Sequence, residues 1–229
     1  MKFHGPDSYV ATQDLMVAVN AAITLQRPLL VKGEPGTGKT MLAIEVAEAI
    51  GAPLIEWHIK STTKAQQGLY EYDAVSRLRD SQLGDERVHD IDNYIVRGKL
   101  WEAFELEERP VLLIDEIDKA FGGDGRSDGG TSQRVLANIL TWMSEKTSSV
   151  FLVATANGID KLPPELLRKG RFDEIFMLEL PSRNERHSIL ELHLQKRRPN
   201  LKIDLNAALD RTEGFSGAEL EQSVIEAMY

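Results

Sequence analysis

The chain has 229 residues and a formal net charge of −9, with nearly all of the acidic excess in residues 1–118. Hydrophobic residues at 42% and charged residues at 28% exclude a disordered chain and match a globular one. The acidity argues against non-specific binding to nucleic acid or anionic membranes, and the lack of cysteine excludes disulfides and thiolate metal sites. No apolar run approaches the roughly 18 residues of a membrane span, and MKFHGPDSYV has no signal-peptide core. The expectation at this level is a cytoplasmic protein with neither nucleic acid nor membrane as a partner.

In chain order, the first predicted element is a helix over TQDLMVAVNAAITLQ. Leu15, Val19, Ala22, Ile23 and Gln26 lie near one stripe, with Thr12 as N-cap. Arg27-Pro28 ends it and launches a short buried strand, Leu29-Leu30-Val31. The next residues, GEPGTGKT from Gly33 to Thr40, have the spacing G-x-x-x-x-G-K-T between a strand and a helix, which is the context that a phosphate-binding loop requires. Glycines at 33, 36 and 38 let the loop running from Pro35 through Thr37 to Met41 turn its backbone N–H groups inward as an anion nest, and the following helix contributes its positive end. Lys39 supplies an ammonium for the outer phosphates and Thr40 a hydroxyl for Mg²⁺. A chance glycine-rich turn would not come with the matching acidic strand downstream.

The helix after Thr40 stops at Gly51, and LIEWHI reads as a second strand. Lys64 to Leu69 reads as helical, Asp80 to Asp92 as a loop or small hairpin, and Gly98 to Glu108 as a helix carrying Leu100, Trp101, Phe104 and Leu106. Tyr70, Tyr72 and Tyr94 read as packed rings with surface hydroxyls. Val111 to Asp115 is a strand buried on both faces. It ends in Asp115, suited to Mg²⁺, and Glu116, suited to accept a proton from an attacking water. Gly122 to Gly130 reads as a loop, Gln133 to Glu145 as a helix, and Val150 to Thr155 as a strand ending at Asn157, which is positioned for a water or γ-phosphate. Pro163-Pro164-Glu165 reads as the start of a short helix, before Arg168, Arg171 and a last strand at Ile175 to Leu178. Helices are predicted at Asn184–Lys196, Leu205–Arg211 and Gly217–Tyr229.

This alternation of strands and helices predicts an α/β fold with a five-stranded parallel sheet flanked by helices. The order phosphate loop, Asp-Glu strand, Asn strand, paired Arg, helical lid resembles the AAA+ ATPases over nearly the whole chain. A GTPase would need an N-K-x-D string, and Asn157 to Asp160 lacks the Lys. An ABC ATPase has its signature before the acidic strand, not at Phe215 to Ala218. The resemblance implies a P-loop NTPase core over residues 1–180 and a partial helical lid over 181–229, stopping short of the last helix usual in the family. It implies ATP or ADP and Mg²⁺ as ligands, with Gly36, Gly38, Lys39 and Thr40 in Walker A and Asp115 and Glu116 in Walker B. Asn157 falls on sensor 1, and Arg168 and Arg171 on arginine fingers that reach a neighbouring subunit. Tyr9, Val10, Ala11, Ile189, His193, Gly217 and Ala218 match positions around the adenine.

Residues 1–119 are similar to MoxR-type ATPases, whose second-helix insert would fall at residues 70–97. From about Asp118, ANGIDKLPPELLRKGRFDEIF and TEGFSGAELEQSVIEAM are similar to AAA proteins of cyanobacteria and algal plastids. That split implies a chimera joined within or near IDEIDKA, either engineered or a natural mosaic. The function expected is Mg-dependent ATP hydrolysis by a module of the ring-forming, protein-remodelling kind, with Tyr70 or Tyr72 as a pore-loop aromatic. The alternative is a slow nucleotide switch or scaffold. Mixed parentage and the short lid imply a mostly monomeric protein.

Overall fold

The computed structural model describes residues 3, 8–60, 62–63, 65–121, 137, 150–168, 170–172 and 174–228. Five parallel strands form the main sheet: β1 (Leu29–Gly33), β2 (Leu54–His58), β5 (Val111–Asp115), β6 (Phe151–Ala156) and β7 (Glu174–Leu178), in the order β2-β5-β6-β1-β7. β1 therefore lies between β6 and β7, while the chain leaving it crosses to the far edge to make β2. This reversal beside β1 opens a crevice at the carboxyl ends of the strands, where open α/β sheets bind ligands.

Side-chain alternation divides the core across the sheet. Leu112 and Ile114 of β5 join Leu30, Leu152 and Trp57 on one face. Val111 and Leu113 join Leu29, Val31, Val153 and the buried sides of α1 (Gln13–Leu25) and α2 (Lys39–Ile50) on the other. The central strands are buried on both faces, which is why they read as unbroken apolar runs. Thr12 caps α1 by accepting the Leu15 N–H. Gln26 does not belong to the buried stripe: it is exposed and takes the left-handed C-cap at φ 54°.

Between β2 and β5 the chain makes α3 (Ala65–Leu69), β3 (Tyr70–Tyr72), α4 (Ala74–Leu83), two 3₁₀ turns, β4 (Ile95–Arg97) and α5 (Lys99–Glu105). β3 and β4 pair antiparallel, as a small sheet apart from the main one. The expected loop from Asp80 is thus partly helix. Asp73 caps α4 by accepting the Ser76 N–H, and Gly84 ends it in the left-handed conformation. Its apolar residues Val75, Leu78 and Leu83 are exposed, so no buried stripe marked it. Tyr94 also departs from expectation: it is buried, and its hydroxyl donates to the buried Asp80 carboxylate at 3.1 Å. The helix expected through Glu108 ends at Glu105, leaving Leu106 extended and exposed.

No helix follows Pro163-Pro164. Single i+3 bonds from Leu166 N–H to Pro163 and from Leu167 N–H to Pro164 make turns instead. The loop at Gly122–Gly130 and all but Ala137 of the helix expected at Gln133–Glu145 lie outside the described residues. After β7 come α6 (Arg183–Arg197), α7 (Asn206–Arg211) and α8 (Gly217–Glu226), which pack Leu190, Leu205, Leu209, Leu220 and Val224 into a cluster of their own. Ser182 and Ser216 start α6 and α8 with capping boxes completed by Glu185 and Glu219. Among the described residues no helix is long and apolar enough to cross a membrane.

Candidate functional site

The phosphate loop bends where β1 becomes α2. Gly36 and Gly38 have φ of 80° and 90°, a region that residues with a Cβ rarely adopt. Space is restricted as well. A Cβ on Gly36 would lie 2.8 Å from Ser216 Oγ, and one on Gly38 would lie 3.2 Å from the Tyr9 ring. Gly38 caps α2 with no side-chain acceptor, so the free N–H groups of the first turn face the loop. The Lys39 ammonium donates to the carbonyls of Gly33 (2.8 Å) and Glu34 (2.7 Å). Burial lowers its pKa, against the upward pull of Asp115, Asp118 and Glu116.

The acidic strand end is organised by Thr155, which sequence reasoning did not single out. Its hydroxyl donates to Asp115 Oδ1 at 2.6 Å and accepts the Glu116 N–H at 2.9 Å. A buried threonine inside an apolar strand leaves its hydroxyl in need of a partner, and that was the available signal. The same Asp115 oxygen accepts from Thr40 Oγ1 at 3.1 Å. The other lies 3.1 Å from His58 Nδ1, at the end of β2. Glu116 has φ 57°, a strained backbone for a residue with a Cβ. Its carboxylate meets Lys119 Nζ at 2.5 Å, and Asn157 Nδ2 stands 3.4 Å away. Asp118, buried, accepts the Asn157 N–H at 3.2 Å and fixes the end of β6.

Thr40 and Asp115 are hard oxygen donors on adjacent elements, which suits a Mg²⁺ that retains waters and takes the rest of its shell from substrate phosphates. Among the described residues no group of three or more acidic or histidine side chains makes a metal cage by itself.

All of this opens into a cavity of about 940 Å³. Its walls include Tyr9, Val10, Pro35–Met41, Asp115, Glu116 and Asn157, and from the helical cluster Ile189, His193, Gly217 and Ala218. Ala11 is not among them, because its side chain packs into the core beside α1. Arg168 and Arg171 are not either. Arg168 is exposed, and Arg171 donates to the Glu165 carbonyl. The cavity also takes in residues that sequence reasoning missed, chiefly Glu45, Glu185 and Glu221. Burial, then the charges of Glu185 and Glu45, push the Tyr9 hydroxyl far above its ordinary pKa.

The N-terminal turn of α8 closes directly on the loop. The Ala218 N–H donates to the Gly36 carbonyl at 3.0 Å. One turn further along α8, Glu221 accepts from Arg197 at 2.8 Å and lies 3.4 Å from His193, joining α8 to α6.

Residues 29–180 match the family described as ATPase family associated with various cellular activities (AAA). The "Uncharacterized AAA domain-containing protein ycf46" of Trieres chinensis is 41% identical over 215 residues, covering 93% of this chain and 39% of the relative. The proteasome-activating nucleotidase of Saccharolobus solfataricus is 34% identical over 88% of this chain and 47% of its own length. The ATP-dependent zinc metalloprotease FtsH 3 of Sphaerobacter thermophilus is 35% identical over 89% and 37%. The chain spans less than half the length of each of these relatives. Similarity to the plastid protein extends to both sides of Asp118, where sequence analysis expected it only from that residue on. With its five-stranded parallel sheet, its glycine loop and a family match over residues 29–180, the chain belongs to the AAA family of ATPases.

Proposed function

We propose that the cavity binds ATP, with Mg²⁺, and that the site hydrolyses its terminal phosphoanhydride in the service of protein remodelling. The observation that carries this reading is the convergence of Lys39, Thr40, Asp115, Glu116 and Asn157 on one cavity at the carboxyl end of the sheet. Lys39 exchanges its two loop carbonyls for phosphate oxygens, and the loop and α2 N–H groups hold the rest. Mg²⁺, when bound by Thr40 and Asp115, supplies neutralisation of phosphate charge. Glu116 takes the proton of the attacking water, and Asn157 orients that water beside it. Thr155 keeps both acidic residues in register through its two hydrogen bonds.

In this reading residues 1–180 are the nucleotide-binding core and 181–229 a helical lid. Arg168 and Arg171, outside the cavity, act on the site of a neighbouring subunit in a ring. The remodelling role is supported by similarity to the archaeal nucleotidase and to FtsH. A separate β3–α4–β4 unit occupies residues 70–97, where a MoxR-type insert was expected, while the similarity across this stretch is to AAA proteins. Continuous similarity to the plastid protein favours one lineage over a junction near Asp118.

The test is Glu116→Gln, which keeps size and removes the base. Nucleotide affinity by calorimetry is expected to persist while phosphate release falls roughly 100-fold or more. Turnover that survives the substitution would reject Glu116 as the base, and a protein that binds no nucleotide would reject the whole reading.

A further inference from the structure

Lys119 touches the proposed base at two points, and the reaction as described above does not use it. The 3₁₀ turn Ile117–Ala120 starts on Glu116 and carries Lys119 back over it. There the Lys119 N–H donates to the Glu116 carbonyl at 2.9 Å, while the ammonium meets Glu116 Oε2 at 2.5 Å. The turn is itself anchored, because the buried Asp118 within it accepts the Asn157 N–H at the end of β6. The hydrogen bond to Glu116, helped by the charges of Glu116, Asp118 and Asp115, holds the Lys119 pKa above its ordinary value, so the ammonium stays charged.

Direction decides what this contact does. Glu116 and Asn157 line the cavity and Lys119 does not. The ammonium therefore holds Oε2 from outside the cavity, and Oε1 is the oxygen turned toward Asn157, whose Nδ2 stands 3.4 Å away. A base and the amide that orients its water must converge on one point, and misplacement by about 1 Å can cost roughly 100-fold in rate. Glu116 also needs a hold. It is one of two non-glycine residues at positive φ among the described residues, and a strained backbone persists only where its surroundings over-determine it. Thr155 fixes its N–H, and Lys119 fixes both its carbonyl and its carboxylate.

We infer that Lys119 is a positioning residue for hydrolysis: it clamps Glu116 at both ends so that Oε1 meets the attacking water beside Asn157. The inference rests on the reading of Glu116 as the base. Lys119 lies outside the cavity, so nucleotide affinity does not depend on it. Its ion pair is exposed, so it contributes little to stability.

The experiment compares the whole chain with Lys119→Met and Lys119→Arg at one protein concentration. It measures phosphate release against ATP, ADP affinity by calorimetry and melting temperature. Lys119→Met is expected to lower kcat at least about tenfold, with KM, ADP affinity and melting temperature unchanged. Lys119→Arg keeps a charged donor and is expected to recover most of the loss. Unchanged or faster turnover in Lys119→Met overturns the inference, since the contact then does nothing or restrains the base. A fall in kcat that comes with weaker ADP binding, a lower melting temperature or failure to fold overturns it too, because a structural role then accounts for the loss. So does an arginine that recovers nothing. A whole chain that releases no phosphate, or Glu116→Gln that still turns over, would reject the proposed function or its base. An inactive Glu116→Gln beside a fully active Lys119→Met rejects only the role of Lys119.

Discussion

At the residue scale, the site joins groups that sequence spacing announces to groups that only packing reveals. Lys39, Thr40, Asp115 and Glu116 were legible because phosphate chemistry demands those residue types at fixed offsets from a strand and a helix. Thr155 was not. It is a β-former inside a strand, so it does not disturb the local pattern, and its significance appears only when burial leaves a polar atom to be satisfied. His193, expected at the cavity from the sequence resemblance and found in its wall, makes a pH prediction. Burial lowers its pKa from the ordinary 6.5, with Glu221 opposing and Arg197 and Lys196 assisting. With the folded value depressed, the unfolded chain binds the proton more readily. The stability contributed by neutral His193 is therefore complete above pH 6.5 and declines as pH falls from 6.5 toward the folded value. Melting temperature without nucleotide is expected to fall between pH 7.5 and pH 5.5, with a shallower fall in His193→Gln. Parallel curves for the two proteins would remove His193 from the account.

At the element scale, legibility followed burial. β1, β5 and β6 are sandwiched in the core and read as apolar runs, and α1 and α2 carry one-sided stripes with clear caps. α4 escaped because Val75, Leu78 and Leu83 project into solvent and its anchor is a polar one, the buried Asp80 with Tyr94. The turns after Pro163 were misread because proline suits a tight turn as well as a first helical residue. The β3–β4 unit depends on a close backbone approach that explains one glycine. A Cβ on Gly98 would lie 2.2 Å from the Gln67 carbonyl oxygen and 2.4 Å from that of Gly68. Backbone on both sides leaves nothing flexible to yield. Gly98→Ala is expected to cost about 1–3 kcal/mol by overpacking, measured by denaturant unfolding. A neutral substitution would mean that α3 and α5 separate more easily than their packing implies.

At the scale of the whole molecule, the cavity contains everything the proposed chemistry needs except an arginine. Arg168 and Arg171 stand off it, on the turns before β7. If they complete the site of another subunit, turnover per chain rises with protein concentration, and Arg171→Ala removes that rise while leaving nucleotide affinity unchanged. Phosphate release over a concentration series, with light scattering alongside, checks both expectations. Turnover that is independent of concentration and indifferent to Arg171→Ala would show each subunit to be self-sufficient.

The bond from the Ala218 amide to the Gly36 carbonyl is a small contact with a large reach. It ties the first turn of α8 to the loop proposed to hold phosphate, and α8 is tied in turn to α6 through Glu221. Two bodies linked in this way share their free energy of rearrangement. Whatever factor an occupied loop applies to the docking of the helices, docked helices return to the affinity of the loop, because such coupling is reciprocal. A pull on the three helices is then equivalent to lowering the nucleotide concentration, and a full cavity is equivalent to a stiffer joint.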